Sequence, residues 1–180
     1  MKILKKILLG LLFLVIILLV TALFVSKDMT AEREVIINKP RHEVFSYVKL
    51  LKNQNEYSKW ATMDPAMKKE FRGTDGTVGF VYAWDSEKSD VGKGEQEIKK
   101  ITEDDRIDFE LRFIKPFAST AQAYLITDSI AGNQTKVKWG FGGKMAYPFN
   151  IMKLFMDPEK AVGDDFSTGL GRLKTILEKQ

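Results

Sequence analysis

The chain has 180 residues, 28 basic and 24 acidic, a formal net charge of +4, one histidine and no cysteine. The missing cysteines exclude disulfides, thiol chemistry and Cys-ligated metals, and a lone histidine excludes a His-rich metal site. The four lysines within residues 1–27 carry the whole surplus, because residues 28–180 hold 24 charges of each sign. A nucleic-acid binder needs a basic field on its folded part, so no nucleic acid is expected as a partner.

Sixteen of the nineteen residues from Ile7 to Val25 are Leu, Ile, Val or Phe, and none is charged. As a helix that run is about 28 Å long, close to the ~30 Å apolar core of a bilayer. Its side chains favour insertion by roughly 5–10 kcal/mol in sum. Lys2, Lys5 and Lys6 precede it, which predicts a cytoplasmic N-terminus and an exported remainder. A cleaved signal peptide is the competing reading, but its apolar stretch is usually ~7–15 residues and ends in a small-x-small site. Here Leu23-Phe24-Val25 is bulky. The expected organisation is a tip and single-pass anchor over 1–27 and one domain over 28–180, at the cell membrane.

Ala31–Ile37 reads as a strand stopped by Asn38-Lys39-Pro40. Pro40 suits a helix start, and Val44, Phe45, Val48 and Leu51 recur at helical spacing. A short helical piece follows over Asn53–Tyr57, then a loop with Trp60 and Met63-Asp64-Pro65. From Lys68 the pattern turns to strands: Lys68–Arg72, Val78–Trp84, Gly94–Ile101, Arg106–Ile114, Ser119–Asp128 and Thr135–Lys144. Arg106–Phe113 alternates strictly, with Ile107, Phe109, Leu111 and Phe113 on one face, which means a sheet with one buried and one wet side. The breaks between strands, Ala131-Gly132-Asn133 among them, are short, so the strands form an antiparallel meander. Asp157 and Pro158 open a final helix whose Val162, Phe166, Leu170, Leu173, Ile176 and Leu177 make one apolar stripe. That stripe is expected to bury itself on the apolar face of the meander.

This order of elements resembles the helix-grip fold of the SRPBCC, or START-like, superfamily. Local phrases carry the resemblance further, toward its bacterial polyketide cyclase/dehydrase and lipid-transport family. They are Trp60–Met67, Gly79–Trp84, Ile114–Ser119, Thr135–Trp139 and Phe155–Pro158. The resemblance implies an α+β domain, with an antiparallel sheet of about seven strands wrapped around a long C-terminal helix. It also implies a cavity between the two for a small apolar ligand, and no particular reaction.

The residues point the same way. Phe80, Tyr82 and Trp84 share a strand face, as do Val137, Trp139 and Phe141, and aromatic walls with polar tips suit an apolar ligand. Tyr82, Trp84, Phe109, Trp139, Phe141, Phe166, Gly169 and Leu173 are therefore the candidate binding residues. Gly169 sits in the stripe where a large side chain is expected. It leaves room either for a ligand or for a bulky sheet residue such as Trp139.

No catalytic residue, metal site or cofactor is expected. His42 falls in the first turn of a surface helix, and Asp64 before Pro65 reads as a turn residue. Glu95 and Glu97 share a solvated face with Lys99. Asp164 and Asp165 lie near the positive end of the last helix, where carboxylates are favourable without chemistry. Met145–Met156, rich in Phe, Met and Tyr, reads as a segment that covers the cavity mouth, touches the bilayer or packs as a loop. Three functions stay open: a tethered binder of a lipid or other apolar molecule, a cyclase- or aromatase-like enzyme, and an interaction domain with a filled grip. The oligomeric state is not legible.

Overall fold

The computed structural model describes residues 2–130 and 133–179, so Ala131-Gly132 of the predicted last turn lies outside the described residues. Helix α1 (Lys2–Phe24) carries the apolar run, and of its residues only Ala22 is buried. Strand β1 (Asp28–Ile37) leads to α2 (Arg41–Lys49), a 3-10 turn (Leu51–Asn53), α3 (Gln54–Tyr57) and α4 (Lys59–Met63). Then come β2 (Lys68–Arg72), β3 (Val81–Asp85), β4 (Lys93–Thr102), β5 (Arg106–Lys115), β6 (Ser119–Ile130) and β7 (Gln134–Lys144). A 3-10 segment (Phe149–Leu154) precedes α5 (Pro158–Lys179). The seven strands form one sheet in the order β1-β7-β6-β5-β4-β3-β2, with every neighbour antiparallel.

Helix α5 runs beside β1, from Gly163 against Arg33 to Glu178, which accepts the Asn38 amide at 2.7 Å. Asp157 opens it as expected, accepting the Lys160 amide at 2.8 Å. Phe166, Gly169, Leu170, Leu173 and Leu177 are buried, and they meet a sheet face made of Ile98, Ile107, Phe109, Leu125, Val137 and Trp139. Val44, Phe45 and Val48 of α2 close the end of the core far from α1. All of this follows from periodicity: a stripe at 3.6 and a face at 2 exclude water only by meeting.

Three predicted details change. Strand β3 starts at Val81, not Val78, because Gly79 takes φ +87° and the Phe80 amide closes a turn onto the Thr77 carbonyl at 3.2 Å. Strand β1 starts at Asp28, three residues before Ala31, because its register with β7 runs on through Asp28↔Lys144. Trp60 and Met63 lie in α4, not in a loop. A one-turn helix shows no period in the sequence, and α4 is held by tertiary contacts, Thr62 to Arg172 at 2.9 Å and Trp60 edge-on to Phe166 at 6.1 Å.

The wet face of the sheet has its own order. Arg112 donates to Glu95 and Glu97 at 2.7 Å each and to Glu110 at 2.5 Å, and Arg72 also binds Glu95. These bonds, Arg112's first, hold the Glu95 and Glu97 carboxyls below the ordinary glutamate range. Carboxyls with depressed folded pKa values contribute stability that is complete above their unfolded value near ~4.3. That contribution is lost as pH falls through the folded values. Arg112→Met is therefore expected to cost about 1 kcal/mol at neutral pH and to flatten the acid loss of stability. Urea titrations in micelles at pH 7 and pH 3 check this, and an unchanged gap between the two pH values in the variant would contradict it.

Candidate functional site

The inner face of the sheet changes character from one end to the other. On β5, Ile107 and Phe109 are fully buried, while Leu111 and Phe113 are half-buried. On the β3 side, Phe80 and Tyr82 are buried and Trp84 is half-buried. The half-buried residues lie toward the end where α1 joins β1, and Trp60, Val162 and Met29 add to the same rim. The far end is plugged by α2, and at this end the short α4 bridges α5 and the turn after β3, through Thr62 to Arg172 at 2.9 Å and Lys88 to the Met63 carbonyl at 2.9 Å.

Two aromatic sets line this interior. Phe71 stacks on Tyr82 at 5.2 Å, Tyr82 tilts against Trp84 at 6.2 Å, and Trp84 meets Phe113 edge-on at 6.1 Å. Across the grip, Tyr57 lies edge-on to Trp139 at 5.7 Å, and Trp139 stacks on Phe166 at 4.6 Å. Gly94 makes the first set possible: a Cβ there would lie 2.6 Å from the Trp84 ring. Gly169 does the same for the second, since its Cβ would fall 2.9 Å from Trp139 and 3.3 Å from the Tyr57 carbonyl. The space opposite Gly169 is thus taken by Trp139.

Of the eight candidate binding residues, Phe109, Trp139, Phe141, Phe166, Gly169 and Leu173 are buried in the core, with Tyr82 buried beside them and Trp84 half-buried. The sequence reading passed over Leu111, Phe113 and Trp60 as rim residues, although the alternation of β5 carried the signal for the first two. Polar groups inside are few. The Tyr82 hydroxyl donates to Asn55 at 3.1 Å, and burial pushes its pKa up to about 12. Burial pushes Tyr57 higher still, and its hydroxyl and the Gln54 side-chain nitrogen are buried without a protein partner.

Two surface concavities stand out, and neither lies between sheet and α5. One, about 360 Å³, is on the outer face beside Glu32, Arg106, Gln122 and Tyr124. The other, about 240 Å³ and apolar, lies between Val15, Leu18 and Leu19 of α1 and Pro148, Phe149, Ile151 and Met152.

The polar candidates take structural places. Asp64 accepts the Ser86 hydroxyl at 2.5 Å and the Ala66 amide at 3.1 Å, and the Ser86 bond holds its carboxyl below the usual range. It is a turn anion, with no proton to donate at neutral pH. His42 is exposed in the first turn of α2. Asp164 pairs with Lys160 at 2.6 Å, and Asp165 pairs with Lys59. Among the described residues no three His, Asp or Glu side chains group as a metal site.

Gly169→Leu is expected to overpack the Trp139 contact and cost about 1–3 kcal/mol. Thermal unfolding in micelles measures it, and a variant as stable as the parent would show that the grip has slack at this position.

No family model matches the chain, and no curated protein does. Solved structures do. Truncated norcoclaurine synthase from Thalictrum flavum aligns with a TM-score of 0.64 at 7% identity, over 87% of this chain and 97% of that one. Ara h 8.0201 aligns with a TM-score of 0.57 at 13% identity, over 85% and 99%. A protein of Nitrosospira multiformis gives 0.56 at 14% identity, over 81% and 94%. At these identities the likeness is one of fold, and the chain has the helix-grip fold of Bet v 1-like proteins.

Proposed function

We propose that the protein is a membrane-anchored binding module for a lipid or similar small apolar molecule, held on the inner face of the sheet under α5. The observation that carries this reading is the half-buried rim of Trp84, Phe113, Leu111 and Trp60 at the end of the sheet nearest α1. Tyr82, Phe109, Trp139, Phe141, Phe166 and Leu173 would form the floor against which the ligand lies, whereas Gly169 is covered by the Trp139 ring. Apolar ligands are taken up by aromatic-lined sites with few polar groups, and the side chains of this face are of that kind. Neighbours of the fold include a synthase by name; the polar groups described inside this grip are the Tyr82 and Tyr57 hydroxyls and Gln54, set among apolar side chains that suit binding.

In the same reading, residues 28–180 form the binding domain and α1 spans the bilayer with its lysine-bearing end in the cytoplasm. A second reading, an interaction domain with a filled grip, draws support from the Trp139 ring occupying the space at Gly169.

A diazirine-bearing fatty acid added to the full chain in vesicles separates the two. Binding in the grip should give adducts at Trp84, Phe113 or Trp60 that excess plain fatty acid suppresses. Adducts confined to α1 would leave only the filled-grip reading. For orientation, a phosphatase active only outside the cytoplasm should work when fused after Gln180. A silent phosphatase alongside an active cytoplasmic reporter at the same place would reverse the topology.

A further inference from the structure

The end of an isolated helix leaves its last carbonyls without partners, and in lipid each such group costs several kcal/mol. In α1 one of these carbonyls, and one just beyond the helix, are met from a distance. The Asn150 side-chain amide donates to the carbonyls of Ala22 at 2.7 Å and Val25 at 2.8 Å. Asn150 is fully buried in doing so. Three residues earlier, the Tyr147 hydroxyl donates to the Leu19 carbonyl at 3.2 Å. Lys153 ties the other end of the segment to the Asp28 carbonyl at 2.6 Å and to Glu159 at 2.7 Å. The 3-10 segment is thus fixed alongside the last turns of the apolar run.

Its depth follows from arithmetic. Leu19 lies six residues before Val25, which is about 9 Å along a helix axis. Interfacial segments bury their apolar faces ~5–10 Å into the headgroup and acyl boundary. The outward side of this end is correspondingly apolar. Phe117, Phe149, Leu154, Phe155 and Met156 are 48–79% exposed, and Phe117 of the β5–β6 turn packs on Phe149 at 5.2 Å. Exposed Lys27, Lys115 and Lys144 stand at the same end of the sheet, where long cationic side chains reach headgroups. A cluster of exposed aromatics of this kind marks a contact surface. Its continuity with the apolar helix selects lipid as the occupant.

We propose that this end of the domain is itself a membrane-inserted surface, with Phe117, Phe149, Leu154, Phe155 and Met156 seated in the leaflet that α1 leaves. The inference rests on α1 being in a bilayer, and it brings the half-exposed rim of the grip to the lipid surface. The ligand would then be drawn from the leaflet on which the domain sits.

The absence of cysteine makes the test direct. Single substitutions Phe117→Cys, Phe155→Cys, Phe13→Cys and Lys100→Cys are made in the full chain, spin-labelled, and reconstituted in phosphatidylethanolamine–phosphatidylglycerol vesicles. Phe117 and Phe155 are well exposed, so a label there displaces no core. Collision rates with oxygen and with a water-soluble nickel chelate are compared. Labels at 117 and 155 should show an oxygen-to-nickel ratio several-fold above that at 100, approaching that at 13. If position 13 is lipid-like while 117 and 155 match 100, the inserted surface is wrong and the anchor stands. If 117 and 155 are shielded from both reagents, a protein contact occupies the surface and the proposal fails. If position 13 itself matches 100, the anchor reading fails and takes this one with it.

Discussion

The last carbonyls of an apolar helix need partners, and in α1 the one at Ala22, with that of Val25 just beyond the helix, finds its partner in Asn150. Asn150 supplies both hydrogen bonds from a segment more than 120 residues away in sequence. To hold Asn150 there, the chain after β7 folds into a 3-10 segment, and Lys153 straps it to the start of β1 and to α5. The junction therefore sets where α5 begins, and α5 in turn sets which half of the sheet's inner face is covered. Sequence, helix capping and the shape of the grip are coupled through one amide side chain.

The grip reflects a division between tight and loose packing. Where α2 seals the far end, branched aliphatics and Phe45 exclude water. Toward α1, large aromatic rings take over, and two glycines, Gly94 and Gly169, give up side chains to accommodate them. Rings packed edge-on against one another have few rotatable bonds. Trp84 and Phe113 sit at the rim, and the Trp84 ring is held there by Gly94 beneath it and by its indole N–H, which donates to the Val91 carbonyl at 3.3 Å.

Much of this was legible in the sequence, and the reasons differ by element. The stripe of α5 and the alternation of β5 were plain because each satisfies a single period over many residues. The Glu95–Glu97 face was recognisable as solvated, but the part of Arg112 in it was hidden because these two partners come from the neighbouring strand. Gly169 stands out as a mismatch on the helical wheel that either a ligand or a ring such as Trp139 could fill, and tertiary contact decides for the ring. Trp60 was misplaced in a loop because a one-turn helix has no period. Asn150 was invisible: nothing around it in sequence suggests a cap for a helix that ended at Phe24. The Phe- and Met-rich composition of Met145–Met156 announced an unusual segment without naming its partner.

The link between α1 and β1 has a mechanical consequence. Only Val25, Ser26 and Lys27 separate the helix from the first strand, a tether of about 10 Å even when fully stretched. With α1 in a bilayer, a body held so short cannot swing outward to meet a second membrane, nor carry cargo across an aqueous gap. The domain would stay within reach of the surface from which α1 emerges, and its motion would be that of the helix itself.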